Sequence, residues 1–263
     1  MLKLKNINKT FFPNSVNERI ALADVNLELD NGDFVTMIGS NGAGKSTVLN
    51  TIAGKVTPDT GTVEIAGRNV TRMKDFKRAK YVGRVFQDPM AGTSPDLTIE
   101  QNMALAERRG MRRGLAFGIT KAKRRRFAEE LQVLELGLEK RLSAKVGLLS
   151  GGQRQALSLL MATFSKPKIL LLDEHTAALD PERARLVTDL TQKVVAEQEL
   201  TTLMVTHNMS QALEVGNRLM MMHEGRIILD VAGPDKAAMT VDDLLEQFAS
   251  FKDASVSDRT LLQ

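Results

Sequence analysis

The chain has 263 residues, 43% of them apolar and 26% charged, which suits one large domain or a core domain with an inserted subdomain. It has no cysteine, which excludes disulfides and thiolate metal sites. One tyrosine and no tryptophan argue against a protein that works by stacking on nucleic-acid bases. No apolar run approaches the roughly 18 residues of a membrane-spanning helix, so a membrane process would need a separate spanning chain.

The first third of the chain predicts strands around one helix. Lysine and asparagine alternate with leucine and isoleucine at the N-terminus, which predicts a strand and not a signal peptide. The run at 34–38 is apolar throughout, as expected for a strand buried on both faces. The predicted strands are Leu2–Ile7, Ala23–Leu29, Phe34–Ile38, Thr62–Ile65 and Tyr81–Phe86, and the predicted helix is Lys45–Ala53.

The next block, about residues 95–146, predicts a helical insert. Ile99–Ala106 and Phe127–Leu136 carry the apolar spacing of helices, and a basic stretch lies between them. From Arg108 to Arg126 this stretch has nine basic residues and no acidic one. Because the net charge of the whole chain is only +4, the remainder of the protein is acidic overall.

Helices and strands alternate again after the insert. Asp180 and Pro181 predict a helix start, as N-cap and first helical residue, and Glu224 with Gly225 predicts a hairpin turn. The predicted helices are Gln153–Phe164, Pro181–Gln198 and Met239–Phe251, and the predicted strands are Ile169–Leu172, Thr202–Val205, Leu219–Met222 and Ile227–Val231. Residues 253–263 are predicted to be a disordered tail after one domain over 1–252. This order predicts an α/β fold with a mostly parallel sheet, an N-terminal antiparallel β region and an inserted α-helical subdomain.

Residues 39–46 fit the phosphate-binding pattern G-x-x-x-x-G-K-[ST]. The pattern follows a predicted strand and opens a predicted helix, where backbone N–H groups surround phosphate oxygens. Lys45 would bring a positive charge to the β- and γ-phosphates, and Ser46 a hydroxyl ligand for Mg²⁺. An ordinary glycine-rich turn is the alternative that this context argues against. The predicted ATP-binding residues here are Gly39, Ser40, Asn41, Gly42, Ala43, Gly44, Lys45, Ser46 and Thr47.

Two carboxylates follow the predicted strand Ile169–Leu172. Ligands bind at the carboxyl ends of parallel strands, so Asp173 is placed to hold Mg²⁺ through its water shell and Glu174 to polarise an attacking water. Solvated acids at a strand end are the alternative, which the phosphate-binding pattern argues against. Together the two motifs predict a P-loop NTPase core.

A second anion-binding helix start stands at Leu149-Ser150-Gly151-Gly152-Gln153. With this motif, the chain resembles the ATP-binding subunits of ABC transporters, in which it is the signature. The other family motifs follow in the family's order, and the resemblance covers about residues 2–248. It implies an ATPase that uses ATP and Mg²⁺.

The resemblance implies roles for single residues. Phe11 is similar to the aromatic residue that stacks on adenine, with Phe12 as competitor and an ordinary core aromatic as the other alternative. Gln87 resembles the glutamine that senses Mg²⁺ and water, and His207 the histidine that contacts the γ-phosphate; a polar strand end and a structural histidine are the alternatives. The implied catalytic residues are Glu174, His207, Lys45 and Gln87, and the implied Mg²⁺ ligands are Ser46, Gln87 and Asp173.

The resemblance also implies an assembly. Ser150, Gly151, Gly152 and Gln153 of one subunit would close over ATP held by a second subunit, identical or paralogous, with Asp180 at the contact. A multi-pass membrane permease and a solute-binding protein are the other expected partners, and no nucleic acid is expected. The expected location is the cytoplasmic face of the cell membrane.

One motif position departs from the family pattern. After the two carboxylates the family most often has Pro-Thr, and this chain has His175-Thr176. The stretch from Asp173 to Asp180 resembles bacterial importer ATPases for amino acids or similar small solutes. An ATPase of iron–sulfur cluster assembly and a nucleic-acid-associated ATPase remain alternatives. We expect the basic stretch to lie near anionic lipid headgroups.

A docking site for the permease is expected in the groove between the insert and the core, about residues 88–102. A short cytoplasmic helix of the permease would lie there. The predicted apolar contacts are Met90, Leu97, Ile99 and Met103, with packing of the insert onto the core as the alternative.

Overall fold

The computed structural model describes residues 1–110 and 118–261, with side chains described up to Phe251. Among these residues, no helix combines the length and the apolar character needed to cross a membrane. The described residues form two β-sheets and the helices that pack against them.

An antiparallel sheet contains the N-terminus. Its strands are β1 (Leu2–Phe11), β2 (Arg19–Leu29), β4 (Thr60–Ile65) and β5 (Arg68–Asn69), in the order β2-β1-β4-β5. Leu2, Leu4 and Ile7 of β1 are at most 1% exposed and form one side of the core. Strands β1 and β2 extend beyond the predicted ranges because their register shifts at several points, which hides the alternation of apolar residues.

The larger sheet is mostly parallel. Its strands are β3 (Phe34–Gly39), β6 (Val82–Val85), β7 (Ile169–Asp173), β8 (Thr201–Val205), β9 (Arg218–His223) and β10 (Arg226–Ala232), in the order β10-β9-β3-β8-β7-β6. Only β10 pairs antiparallel, with β9. Because β3, β7 and β8 run parallel, their carboxyl ends lie at one edge of this sheet, which we call the phosphate edge.

Nine α-helices connect and cover the strands in the described part of the chain. They are α1 (Lys45–Ala53), α2 (Asp75–Arg78), α3 (Ile99–Glu107), α4 (Lys121–Gln132), α5 (Gly151–Thr163), α6 (Pro181–Glu197), α7 (Met209–Glu214), α8 (Gly233–Ala238) and α9 (Val241–Leu261). The sequence does not predict α2, α7, α8 or β5, because elements of two to six residues are too short to show a periodic pattern.

Side-chain caps set the starts of the longer helices. Asp180 accepts the N–H of Arg183 at 3.1 Å, with proline in the first turn, as predicted for α6. Thr120 accepts the N–H of Lys123 at 3.3 Å and begins α4 at Lys121. The predicted start of this helix at Phe127 is therefore wrong. Lysine and arginine are good helix formers, so the basic residues extend the helix without adding to its apolar pattern.

The helical insert shares one apolar core with the larger sheet, because its buried residues form a cluster that also contains Val85, Leu170 and Leu172. Ile99 and Met103 of α3 are 0% exposed and pack with the apolar residues of α4 and α5. Their predicted contact with a permease is therefore wrong, because the apolar spacing of α3 serves the packing of the insert. Leu97 is half-buried, and Met90 is 40% exposed.

Four side chains of the basic stretch pair with carboxylates. Arg124 donates to both oxygens of Glu100, each at 2.6 Å. The other pairs are Lys123 with Glu107, Arg126 with Glu107, and Arg125 with Glu129. This pairing neutralises part of the charge that was expected to face lipid headgroups. Arg112 and Arg113 lie outside the described residues.

The C-terminal helix α9 continues beyond the predicted end at Phe251. Helical backbone covers residues 253–261, for which the sequence predicts disorder. No glycine or proline occurs between Val241 and Gln263, so nothing in the local sequence ends the helix earlier.

Candidate active site

The loop between β3 and α1 forms a cradle around a buried lysine. Lys45, 5% exposed, donates through Nζ to the carbonyl oxygens of Gly39 at 2.7 Å and Ser40 at 3.0 Å. Gly44 has φ of 105°, and a Cβ there would lie 2.5 Å from the carbonyl oxygen of Ala21. Both facts require glycine at this position. The chain therefore turns tightly into α1 and holds the ammonium group at the start of that helix.

The buried ammonium group of Lys45 is stabilised by negative charge in its surroundings. Burial lowers the pKa of Lys45, and the carboxylates of Glu174 and Asp173 oppose that shift. A phosphate group in the cradle would act in the same direction as the carboxylates, by stabilising the charged form of the lysine. A bound phosphate would therefore add to the stabilisation that the two carboxylates give to the charged lysine.

Glu174 and His207 meet at the phosphate edge. They follow β7 and β8, whose last residues Asp173 and Val205 are partners in the parallel register. Oε1 of Glu174 lies 2.5 Å from Nε2 of His207. Glu174 has φ of 47°, a strained backbone conformation for a non-glycine residue of the kind found at functional sites. Two segments distant in sequence are thus joined at one point.

A cavity of about 300 Å³ opens between these groups, a volume at the lower end of that of small-molecule sites. Its lining residues are Phe11, Arg19, Ala21, Asn41, Gly42, Ala43, Gly44, Lys45, Ser46, Thr47, Glu174 and His207. The structure therefore brings most of the predicted ATP-binding residues together with three of the four predicted catalytic residues, Lys45, Glu174 and His207. Gly39 and Ser40 contribute the carbonyl groups that hold Lys45.

Asp173 pairs with an arginine that the motifs do not identify. Nη2 of Arg84 lies 2.6 Å from Oδ2 of Asp173, and Nη1 donates to Oδ1 of Asn50 at 2.7 Å. Both side chains of the ion pair are largely buried, at 11% and 17% exposure. Arg84 thereby ties β6 to β7 and to α1. In the sequence, the signal for this role was a charged residue in the middle of the predicted strand Tyr81–Phe86.

Two residues of the N-terminal sheet border the cavity. Phe11 lines it, whereas the competing Phe12 is 68% exposed and is not among the lining residues. Arg19, which the sequence did not single out, donates through Nη2 to the carbonyl oxygen of Gly42 at 3.0 Å. Arg19 therefore fastens the N-terminal sheet to the cradle and adds a second cation to the lining.

Gln87 and the predicted signature residues Ser150–Gln153 lie outside the cavity of their own chain. Gln87 is exposed just after β6 and is not among the lining residues of the cavity. Ser150 is the N-cap of α5: its Oγ accepts the N–H of Gln153 at 3.3 Å, and its own N–H donates to Oε1 of Gln153 at 3.2 Å. Ser150, Gly151, Gly152 and Gln153 do not line the cavity of their own chain either.

His175 is a buried, neutral residue. It is 2% exposed, and burial lowers its pKa to about 4. Nε2 lies 3.1 Å from Oγ1 of Thr191 on α6. At neutral pH it therefore adds no charge beside Glu174.

Comparison with known proteins identifies the family. A family model described as "ABC transporter" matches residues 22–177, more than half of the chain. The chain belongs to the ABC transporter family. It is an ATP-binding and ATP-hydrolysing subunit that powers solute transport, as the motifs predict.

Relatives of this ABC ATPase include transport subunits. The tyrosine transport ATP-binding protein of Clostridioides difficile (strain R20291) is 44% identical over 252 residues, covering 94% of this chain and 98% of that protein. The energy-coupling factor transporter ATP-binding protein EcfA2 of Halalkalibacterium halodurans is 33% identical over 219 residues, covering 81% and 74%.

Solved ABC cassettes share the fold. A dimeric cassette in a post-hydrolysis state, bound to ADP and Pi, is 31% identical with a TM-score of 0.75, covering 88% of this chain and 98% of that one. A second cassette in its ADP conformation is 25% identical with a TM-score of 0.78, covering 95% and 98%. The predicted family and fold class are confirmed, and the roles of single residues stay predictions.

Proposed function

We propose that two copies of this chain sandwich two ATP molecules and drive a separate permease. Each cavity at the phosphate edge would hold one ATP, with Phe11 on the adenine and Lys45 on the β- and γ-phosphates. Ser150–Gln153 of the partner would close the site. Their position outside the cavity of their own chain supports action across the dimer, and a related cassette is dimeric.

The oxygen donors at the phosphate edge fit Mg²⁺. The hydroxyl of Ser46 and the carboxylate of Asp173 are hard ligands of the kind Mg²⁺ prefers, and this ion usually takes its other ligands from phosphates and water. Among the described residues, no three histidine, cysteine or acidic side chains are arranged so that they could hold a metal ion by themselves. This fits a cation that reaches the site with ATP. Gln87 would join the ligand set when its loop moves toward the nucleotide.

The contact between Glu174 and His207 carries the catalytic proposal. Glu174 would accept a hydrogen bond from the attacking water and thereby orient it. His207 would contact the γ-phosphate. Mg²⁺, when bound, would neutralise charge that develops on the phosphate oxygens. Hydrolysis would remove the γ-phosphate that bridges the two subunits, and the dimer would open.

The solute is proposed to be an amino acid or a similar small molecule. The tyrosine transport relative at 44% identity supports this class, as does its coverage of nearly the whole chain. A multi-pass permease and a solute-binding protein would complete an importer, and the ATPase would lie at the cytoplasmic face of the membrane. The transport relatives favour this assembly over iron–sulfur cluster assembly or nucleic-acid work.

We propose a different permease dock from the one expected at Ile99 and Met103. A groove of about 210 Å³ lies beside the end of α1, α2 and β6. Phe76, 63% exposed, and Phe86 give it an apolar surface. Its charged lining residues are Lys55, Arg84 and Arg109 against the single acid Asp75, so the groove has a net positive charge. These groups fit a short permease helix with apolar and acidic side chains. Arg84 lines the same groove and reaches Asp173, so the groove adjoins the nucleotide site.

The test is Glu174→Gln in the full-length chain. This change keeps the shape of the side chain and removes its charge, so ATP should still bind while kcat falls by about 10²–10⁴-fold. An ATP-dependent dimer should accumulate on size-exclusion chromatography. Glu197→Gln, at the exposed end of α6, is the matched control and should behave as wild type. Near wild-type hydrolysis by Glu174→Gln would remove Glu174 from the mechanism.

A further inference from the structure

Strand pairing alone does not fix the contact between Glu174 and His207. Each side chain sits on a loop just after its strand. Among the described residues, the N–H of Glu174 donates to the carbonyl oxygen of Val205, the last residue of β8, at 3.0 Å, and no backbone hydrogen bond joins Glu174 to the loop after β8. Rotation of either loop would separate Oε1 from Nε2. Other groups must therefore hold the two loops in place.

Helix α6 presents two threonine hydroxyls toward these loops. Thr188 and Thr191 are three residues apart and so lie on the same face of the helix. Thr188 Oγ1 donates to the carbonyl oxygen of Ala184 at 2.8 Å, and Thr191 Oγ1 donates to that of Val187 at 2.7 Å. A hydroxyl has a single proton, so each oxygen is left to accept from any further partner. We call these two hydroxyls the threonine ledge.

The loop after β7 is fastened to the ledge by His175. Nε2 of this buried imidazole lies 3.1 Å from Oγ1 of Thr191. Because the proton of Thr191 already serves Val187, the hydrogen-bond network assigns a proton to Nε2 of His175, which donates to the ledge. His175 adjoins Glu174, so the bond anchors the backbone that carries this carboxylate.

The loop after β8 is fastened to the ledge by Gln211 of α7. Nε2 of Gln211 donates to Oγ1 of Thr188 at 2.9 Å and to Oγ1 of Thr176 at 3.3 Å. Oε1 of the same amide accepts from Oγ1 of Thr206 at 2.8 Å. Thr206 directly precedes His207, and Thr176 lies two residues after Glu174. One amide therefore joins both loops and α6.

We propose that the threonine ledge and Gln211 are positioning residues that hold Glu174 against His207 for ATP hydrolysis. Neither hydroxyl touches the cavity, so they act through the loops and not on the nucleotide. Helix α6 begins at the Asp180 cap, the predicted dimer contact, so the ledge also ties both loops to the helix that starts there. The inference rests on the proposed function, because it takes Glu174 and His207 as the groups that promote hydrolysis.

The test compares kcat and KM for ATP in the full-length chain. Thr188→Val, Thr191→Val and Gln211→Met each remove one anchor while nearly keeping side-chain volume. Misplacement by about 1 Å costs up to roughly 100-fold in rate, so kcat should fall by about 10–100-fold while KM and ATP affinity stay within about two-fold. Thr188→Ser and Thr191→Ser keep the hydroxyl and should restore kcat.

Thr163→Val is the matched control. Thr163 is also a buried helical threonine that donates to a carbonyl oxygen one turn earlier, at 3.3 Å to Leu159, but no hydrogen bond joins it to either loop among the described residues. Its kcat should be that of wild type, which separates positioning from a general effect of deleting a buried hydroxyl.

Wild-type kcat in Thr188→Val and Gln211→Met would overturn the inference, as would an equal loss in Thr163→Val or no rescue by serine. Failure of the proposed function has a separate signature, because Glu174→Gln would then remain active. An inactive Glu174→Gln with fully active ledge variants would overturn the ledge alone. If Thr191→Val does not fold, Gln211→Met still tests the inference, because Gln211 lies on a different helix, α7.

Discussion

The phosphate edge and the helical insert differ in what their sequence patterns mean. At the phosphate edge, residues from three strand ends converge, and the predicted groups Lys45, Glu174 and His207 line one cavity. In the insert, the residues expected to meet outside partners are used internally: Met103 is buried, and Arg124 pairs with Glu100. The motif residues at the strand ends line an open cavity, whereas these apolar and charged residues of the insert pack and pair within the fold.

The largest expected effect on stability distinguishes a buried methionine, Met103, from an exposed one, Met90. Met103→Ala empties part of a buried core and should lower the free energy of unfolding by about 2–5 kcal/mol. Met90→Ala, at a side chain 40% exposed, should lower it by less than about 1 kcal/mol. Urea unfolding followed by circular dichroism measures both. Equal small losses would mean that Met103 is available to a partner after all.

The two methionines also show a limit of prediction from the sequence. Apolar spacing on α3 predicts a buried face correctly, but it does not say whether the face is covered by the chain itself or by a permease. The same limit applies to the basic stretch, since the carboxylates that pair with Lys123 and Arg124 lie on another helix. At the phosphate edge the parallel register brings Asp173 beside Val205, so the predicted parallel sheet was enough to place these strand ends at one edge.

Some features of the phosphate edge could not be predicted from the sequence motifs. The motifs assign no role to Arg84 or Gln211, and their partners Asp173 and Thr188 are distant in sequence. Their roles follow only from side-chain geometry. Gln87, which the family pattern implies as a site residue, is exposed and does not line the cavity, so its part in catalysis stays a prediction.

A second comparison uses one ion pair from each region. Arg84→Met leaves Asp173 and Asn50 without their shared donor in a largely buried place, and should lower the free energy of unfolding by about 1.5–3 kcal/mol. Arg125→Met breaks an exposed pair with Glu129 one helical turn away, worth about 0.3–0.5 kcal/mol. Thermal unfolding in nucleotide-free buffer compares the two. A larger loss for Arg125→Met would reverse the ranking of the two regions.

The smallest expected effect concerns adenine at the border of the phosphate edge. Stacking on one aromatic face contributes about 1–3 kcal/mol, so Phe11→Ala should weaken ATP binding accordingly and leave kcat nearly unchanged. Phe12→Ala should leave the affinity as it is, because Phe12 is largely exposed and does not line the cavity. Isothermal titration calorimetry measures both affinities. A weaker affinity in Phe12→Ala alone would transfer the role to that residue.

The central claim is that a cradle from one chain and Ser150–Gln153 from another make one ATP site, and a mixing experiment tests it most directly. Lys45→Ala and Ser150→Arg are each combined with Glu174→Gln, mixed, and supplied with ATP and Mg²⁺. Only a mixed dimer contains one intact pairing of cradle and signature. The mixture should therefore form ATP-retaining dimers with one nucleotide per dimer on size-exclusion chromatography, while neither variant does so alone. ATP-retaining dimers of the Ser150→Arg variant alone, or none in the mixture when Glu174→Gln itself dimerises, would contradict the claim.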